Sequence, residues 1–88
     1  MKLVILYRPN SEHSTLVESF SERLLSAMPE AAVENVDIDS PEGISFLEAY
    51  GIMQFPALLV VADNGSMINS WLGDLLPPVE LVIDNLRK

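Results

Sequence analysis

The sequence has no cysteine and only one histidine. Without cysteine the chain can form neither a disulfide nor a thiolate metal site, so its folded state must be held together by an apolar core. One histidine is also too few for a zinc site built from protein side chains alone. We therefore expect no metal and no other cofactor.

Basic residues are scarce as well. Five lysines and arginines stand against thirteen acidic residues, which gives a net charge of −8. Binding to nucleic acid or to an anionic membrane needs a surplus of positive charge on one surface. The composition therefore argues against both kinds of partner.

Long hydrophobic runs are absent too. The opening residues, MKLVILYRP, hold only five consecutive apolar side chains before Arg8, too few for a signal-peptide core or a membrane span. This pattern predicts a cytoplasmic protein. A chain of 88 residues is the size of one domain, and a hydrophobic content of 49% is enough for a packed core. We expect a single globular domain over residues 1–88.

Two continuous apolar runs, residues 3–7 and 57–62, predict strands that are buried on both faces of a sheet. Residues 33–38 predict a shorter strand. The pair Asn64-Gly65 predicts a tight hairpin turn with both residues at positive φ, so that residues 67–72 form an antiparallel edge strand.

Three segments have the apolar spacing of amphipathic helices: residues 11–28, 44–50 and 79–86. Gly51 is suited to close the second of them in the left-handed conformation. The element order is then β-α-β-α-β-β-α. Because a strand–helix–strand connection places its helix on one face of the sheet, we predict a three-layer α/β/α sandwich around a four-stranded mixed sheet.

Several short segments carry a family resemblance that extends over nearly the whole chain. They are Tyr50-Gly51-Ile52, Phe55-Pro56-Ala57-Leu58-Leu59, Asp63-Asn64-Gly65 and Leu72-Gly73. Together with the element order they resemble the thioredoxin-like superfamily, which includes thioredoxins and glutaredoxins. The resemblance implies that Pro56 is cis and faces the redox motif, and that Gly73 lets a partner's backbone approach.

The family's redox motif, Cys-x-x-Cys, falls on Ser11, Glu12, His13 and Ser14. Thiol–disulfide exchange requires a thiolate, and a serine hydroxyl has too high a pKa and too little nucleophilicity toward sulfur. We therefore predict no such activity for the chain as written and assign no catalytic residue. The two serines are interpreted either as caps of the first helix or as part of a retained groove.

A binding groove around the proline is the other implication of the resemblance. Its candidate residues, besides the four at the motif, are Tyr7, Arg8, Phe55, Pro56, Trp71 and Gly73. Two functions stay open. One is a redox-inert domain that binds a protein or peptide noncovalently, and the other is a thiol–disulfide oxidoreductase whose two cysteines have been replaced by serine.

A second copy of the chain is a further candidate partner. The predicted edge strand 67–72 has no charged residue to discourage pairing. An exposed cluster of Phe55 and Trp71 around Pro56 would offer an apolar surface. The predicted homodimer uses either the edge strand or the face that contains Phe55 and Pro56.

Overall fold

The computed structural model describes residues 1–73 and 75–87. Asp74 and Lys88 lie outside the described residues, and the predicted domain 1–88 includes both positions. Seven elements follow one another in the predicted order: β1 (Lys2–Tyr7), α1 (Ser14–Ala27), β2 (Val33–Asp37), α2 (Pro41–Tyr50), β3 (Ala57–Val61), β4 (Met67–Leu72) and α3 (Val79–Leu86).

The four strands form one mixed sheet in the order β2-β1-β3-β4. β1 pairs with β2 in parallel and with β3 in antiparallel, and β3 pairs with β4 in antiparallel. The two continuous apolar runs of the sequence are thus the two central strands. All five residues of β3 are buried, which confirms that this strand is covered on both faces.

Successive side chains of β1 point to opposite faces and enter two separate apolar cores. Leu3 and Ile5 pack on one face with residues of α1 and α3, including Phe20 and Val82. Val4 and Leu6 pack on the other face, where the remaining helix lies, because Phe46, Leu47 and Tyr50 of α2 cover them. The arrangement is the predicted three-layer α/β/α sandwich.

The first two helices begin at different residues from those predicted. α1 begins at Ser14 rather than at residue 11, because residues 9–13 form turns. α2 begins earlier than predicted, at Pro41, since Ser40 caps it: the Ser40 hydroxyl oxygen accepts a hydrogen bond from the Gly43 N–H at 3.0 Å. Gly51 closes α2 at φ 64°, in the left-handed conformation that its sequence position predicts.

The connection between β3 and β4 is longer than a two-residue turn. Gly65 has φ +90°, but Asn64 does not have a positive φ, so the expectation of positive φ at both residues was wrong. The Gly65 N–H donates to Ala62 O at 2.9 Å, and the Ala62 N–H donates to Ser66 O at 2.8 Å. Three residues therefore reverse the chain, with glycine at the left-handed position.

The segment before β3 approaches the end of β4. The peptide bond between Phe55 and Pro56 is cis. The Gly73 N–H donates to Pro56 O at 3.0 Å and holds the two segments together. Pro56 and Gly73 are consequently neighbours at one end of the sheet.

Candidate functional site

The turn after β1 brings the predicted motif positions to the end of the sheet. The Ser11 N–H donates to Arg8 O at 3.1 Å, and the Ser14 N–H donates to Ser11 O at 3.2 Å. These two consecutive turns reverse the chain between β1 and α1. The turn therefore places Arg8, Ser11, Glu12 and His13 beside Phe55, which precedes β3.

A cleft of about 300 Å³ lies between this turn and Phe55. It is lined by Tyr7, Arg8, Ser11, Glu12, His13, Ile38 and Phe55. Six of these seven residues are among those that the sequence analysis selected. The structure does not bring Ser14, Pro56, Trp71 or Gly73 into the lining.

Ser11 and Ser14 do not cap α1 with their side chains. The Ser11 hydroxyl donates to Arg8 O at 2.7 Å and accepts from the His13 N–H at 3.2 Å, while the Ser14 hydroxyl donates to Ser11 O at 3.0 Å. The N-cap residue of α1 is His13, which makes no side-chain cap hydrogen bond. The capping interpretation is therefore wrong for α1, and both hydroxyls stabilise the preceding turn instead.

His13 is not arranged as a catalytic base for either serine. Its Nε2 lies 4.0 Å from a carboxylate oxygen of Glu12, which is beyond hydrogen-bonding distance. Within residues 1–73 and 75–87, no hydrogen bond joins the imidazole to a serine hydroxyl, which a serine nucleophile would need. His13 and the two serines therefore do not have the hydrogen-bond geometry of a serine nucleophile and its base among the described residues.

Arg8 is engaged by a carboxylate at the rim of the cleft. Its Nε donates to Asp39 at 3.0 Å and its terminal nitrogen donates to the other Asp39 oxygen at 3.4 Å. This hydrogen bond and the charge of Asp39 raise the pKa of Arg8 above its ordinary value. The two side chains are 59% and 63% exposed, so the pair contributes little to stability. The Asp39 carboxylate nevertheless offsets the charge of Arg8, which makes Arg8 a poor binding site for an anion.

Tyr7 forms the floor of the cleft at the end of β1. Its side chain is almost fully buried, at 7% exposure. Burial raises the pKa of the Tyr7 phenol, and the carboxylates of Glu18 and Asp37 raise it further. The phenol of Tyr7 is therefore neutral at physiological pH.

The backbone of Phe55 makes no hydrogen bond within the described residues. The neighbouring Pro56 O accepts from Gly73. The Phe55 side chain is half-buried and packs against the core on the α2 face.

Trp71 lies on the other face of the sheet from Phe55. It is opposite Leu58 in the β3–β4 pair and packs against the core beneath α1 and α3. The alternation of side chains along β4 places it there. Phe55 and Trp71 therefore do not form one exposed aromatic cluster.

Two residues of the site were missed by the sequence analysis. Ile38 lines the cleft just after β2 ends, whereas the sequence analysis placed it only at the end of the predicted strand 33–38. Gly43 lets α2 pack against the end of β2: a Cβ there would lie 2.1 Å from the backbone oxygen of Asp37. No local sequence pattern predicts such a close contact between a helix and a strand.

In the part of the chain that the structure describes, no three side chains of the metal-ligating types lie together. Nor does any helix there have the length and apolar composition to cross a membrane.

Several solved structures with a similar fold are thioredoxins. Mitochondrial thioredoxin 3 from Saccharomyces cerevisiae superposes with a TM-score of 0.71 and 14% identity, over 97% of this chain and 74% of its own. Thioredoxin O2 from Arabidopsis thaliana superposes with a TM-score of 0.73 and 17% sequence identity, over 99% of this chain and 75% of its own. The chain has the thioredoxin-like fold.

A third structure of this kind is the germline-specific thioredoxin Deadhead from Drosophila melanogaster, with a TM-score of 0.68 and 20% identity, over 98% of this chain and 79% of its own. The thioredoxin-like chain described here spans about three quarters of the length of these proteins. Its sequence matches no family model and no curated protein. At such low identity the likeness concerns the fold alone.

Proposed function

We propose that this thioredoxin-like domain is redox-inert and binds an extended peptide segment noncovalently in the cleft between the Arg8–His13 turn and Phe55. The observation that supports this most directly is the backbone of Phe55, which makes no hydrogen bond among the described residues and lies beside a cleft of about 300 Å³. An extended peptide can form backbone hydrogen bonds there while one of its side chains enters the cleft.

The charges around the cleft favour a cationic peptide. Glu12 is 88% exposed at the rim, and Asp37 is close enough to influence the pKa of Tyr7. The only arginine at the rim, Arg8, is already paired with Asp39. In a chain of net charge −8, an arginine or lysine side chain in the cleft gains attraction from carboxylates, whereas an acidic one is repelled.

The absence of thiols supports the redox-inert part of the proposal. Thioredoxin-like redox chemistry forms a mixed disulfide through a thiolate, and the positions of the motif carry hydroxyls that are engaged in a turn. Any binding here must therefore rest on hydrogen bonds, charge and packing.

The proposal is tested with two fluorescein-labelled octapeptides, one alternating arginine and valine and one alternating glutamate and valine. We expect the arginine peptide to bind and to shift the amide NMR resonances of Tyr7, His13 and Phe55. Glu12→Lys should weaken this binding about tenfold, because it places a like charge at the rim. Glu48→Lys makes the same change in net charge on α2 away from the cleft, and should change affinity less than about twofold.

Equal weakening by both lysine variants would show attraction to net charge alone. That result, or resonance shifts confined to residues remote from the cleft, would contradict a peptide site at Phe55. Absence of binding by either peptide would contradict it as well.

A thiol–disulfide oxidoreductase with both cysteines replaced by serine is the second candidate. The feature that favours it is the placement of Ser11 and Ser14, one turn apart where the chain enters α1. If this candidate is right, Ser11→Cys with Ser14→Cys should reduce insulin disulfides, because the helix N-terminus stabilises a thiolate. An inactive but folded double variant would remove this candidate.

A further inference from the structure

The single histidine of the chain, His13, lines the cleft. Imidazole is the side chain whose charge ordinarily changes between about pH 5 and pH 8. The sequence has no cysteine, whose thiol can also be brought to titrate in that range. A fall in pH across this range therefore adds a positive side-chain charge to the cleft at His13.

Two charged side chains share the turn with His13. A carboxylate oxygen of Glu12 lies 4.0 Å from His13 Nε2, and Arg8 lines the same cleft. Arg8 is paired with Asp39 from the segment after β2, so these two charges offset each other. Within the described residues, Glu12 is thus the carboxylate that a proton on the His13 ring would engage at short range.

The other elements around the cleft keep a constant charge over the same pH range. Tyr7 at the end of β1 stays neutral, because burial and the carboxylates of Glu18 in α1 and Asp37 in β2 raise its pKa. Carboxyl side chains ordinarily remain ionised above about pH 5. The remaining lining side chains are uncharged: Ser11, Ile38 and Phe55. Between about pH 5 and pH 8, the charge of the cleft therefore changes by the proton that His13 takes up.

We propose that protonation of His13 weakens the binding of a cationic peptide in the cleft, so that the site binds near neutral pH and releases its ligand in mildly acidic solution. The inference rests on the proposed function. Two effects act in the same direction. The charged imidazole repels an arginine or lysine side chain of the peptide, and it attracts the Glu12 carboxylate that otherwise attracts the peptide.

The position of His13 sets the size of the effect. Its side chain is 31% exposed, whereas that of Glu12 is 88% exposed, so a charge on His13 is less screened by solvent. We expect the dissociation constant of the peptide to rise about fivefold between about pH 7.5 and about pH 5.5. Because such coupling is reciprocal, bound peptide makes the His13 ring harder to protonate by the same factor.

The test is isothermal titration calorimetry of the whole chain with the unlabelled arginine–valine octapeptide, at about pH 7.5 and about pH 5.5. We expect about fivefold weaker binding at the lower pH. In His13→Gln the ratio of the two dissociation constants should fall to about one, because a neutral amide takes up no proton. His13→Lys is charged at both pH values, so it should bind more weakly than His13→Gln at both, again with a ratio of about one.

A second measurement needs no variant. The NMR titration of the His13 ring should move to lower pH by about 0.7 unit when the peptide is present in excess, which is the fivefold coupling on a logarithmic scale. Peptide binding with equal affinity at both pH values would overturn this inference and leave the proposed function standing. A loss of affinity that persists in His13→Gln would overturn it too, since another group would then be responsible. Absence of binding at both pH values would overturn the inference together with the proposed function.

Discussion

Gly43 shows how one residue positions the candidate site. It lies in the first turn of α2, and its missing side chain allows the helix to touch the backbone at the end of β2. That contact sets the position of Ile38, which lines the cleft. The glycine is thus required for close packing rather than for an unusual backbone angle, since no positive φ occurs there.

Replacing Gly43 with alanine should destabilise the protein by about 3 kcal/mol, because the new methyl group meets backbone atoms that cannot rotate away. Urea unfolding followed by circular dichroism measures the change. Gly51→Ala is the control. A Cβ at this position would meet open space, so the substitution costs only the strain of a side chain at φ 64°, about 1 kcal/mol. A smaller loss at Gly43 than at Gly51 would contradict the close-packing account.

The elements follow from the sequence more completely than the site does. The apolar runs of β1 and β3 and the apolar stripes of α1 and α3 each extend over a whole element and indicate burial. The structure buries them as predicted. The start of α1 could not be predicted, because Ser11 and Ser14 are equally suited to cap a helix or to stabilise a turn. Ser11 bonds to Arg8, and that choice depends on the tertiary position of the turn.

α1 offers a direct test of its buried face, since Leu24 and Leu25 are adjacent. Leu24 is fully buried, whereas Leu25 is 38% exposed. Leu24→Ala should cost between about 2 and 5 kcal/mol through lost burial and a cavity, and Leu25→Ala less than about 1 kcal/mol. Chemical denaturation of both variants gives the comparison, and similar losses would mean that the helix is rotated from the orientation described.

At the scale of the whole molecule, the acidic excess opposes the compact state. Three carboxylates have cationic partners: Glu34 pairs with Lys2, Asp39 with Arg8, and Asp63 with the N-terminal ammonium group. The exposed carboxylates on the helices, such as Glu22 and Glu48, add to a net charge of −8. Repulsion of this kind is screened by salt.

Raising salt from about 0.01 M to about 0.5 M should therefore increase the melting temperature by about 4–8 °C, which corresponds to about 1 kcal/mol for a domain of this size. Calorimetry of the protein at both salt concentrations measures the change. The double variant Glu22→Gln, Glu48→Gln should have a higher melting temperature at low salt and a smaller increase of that temperature on addition of salt. A melting temperature that falls with salt would show that attractive pairs dominate.

β1 takes part in both apolar cores. The other central strand, β3, with which it pairs, is distant in the sequence, since Leu6 of β1 pairs with Ala57 of β3. During synthesis, a nascent chain that ends before residue 57 has one of the most apolar strands of the protein without its antiparallel neighbour. Such a chain is a substrate for chaperones and proteases rather than a folded intermediate. We expect ribosome-bound chains to gain protease resistance only once β3 has left the exit tunnel, in a single late step.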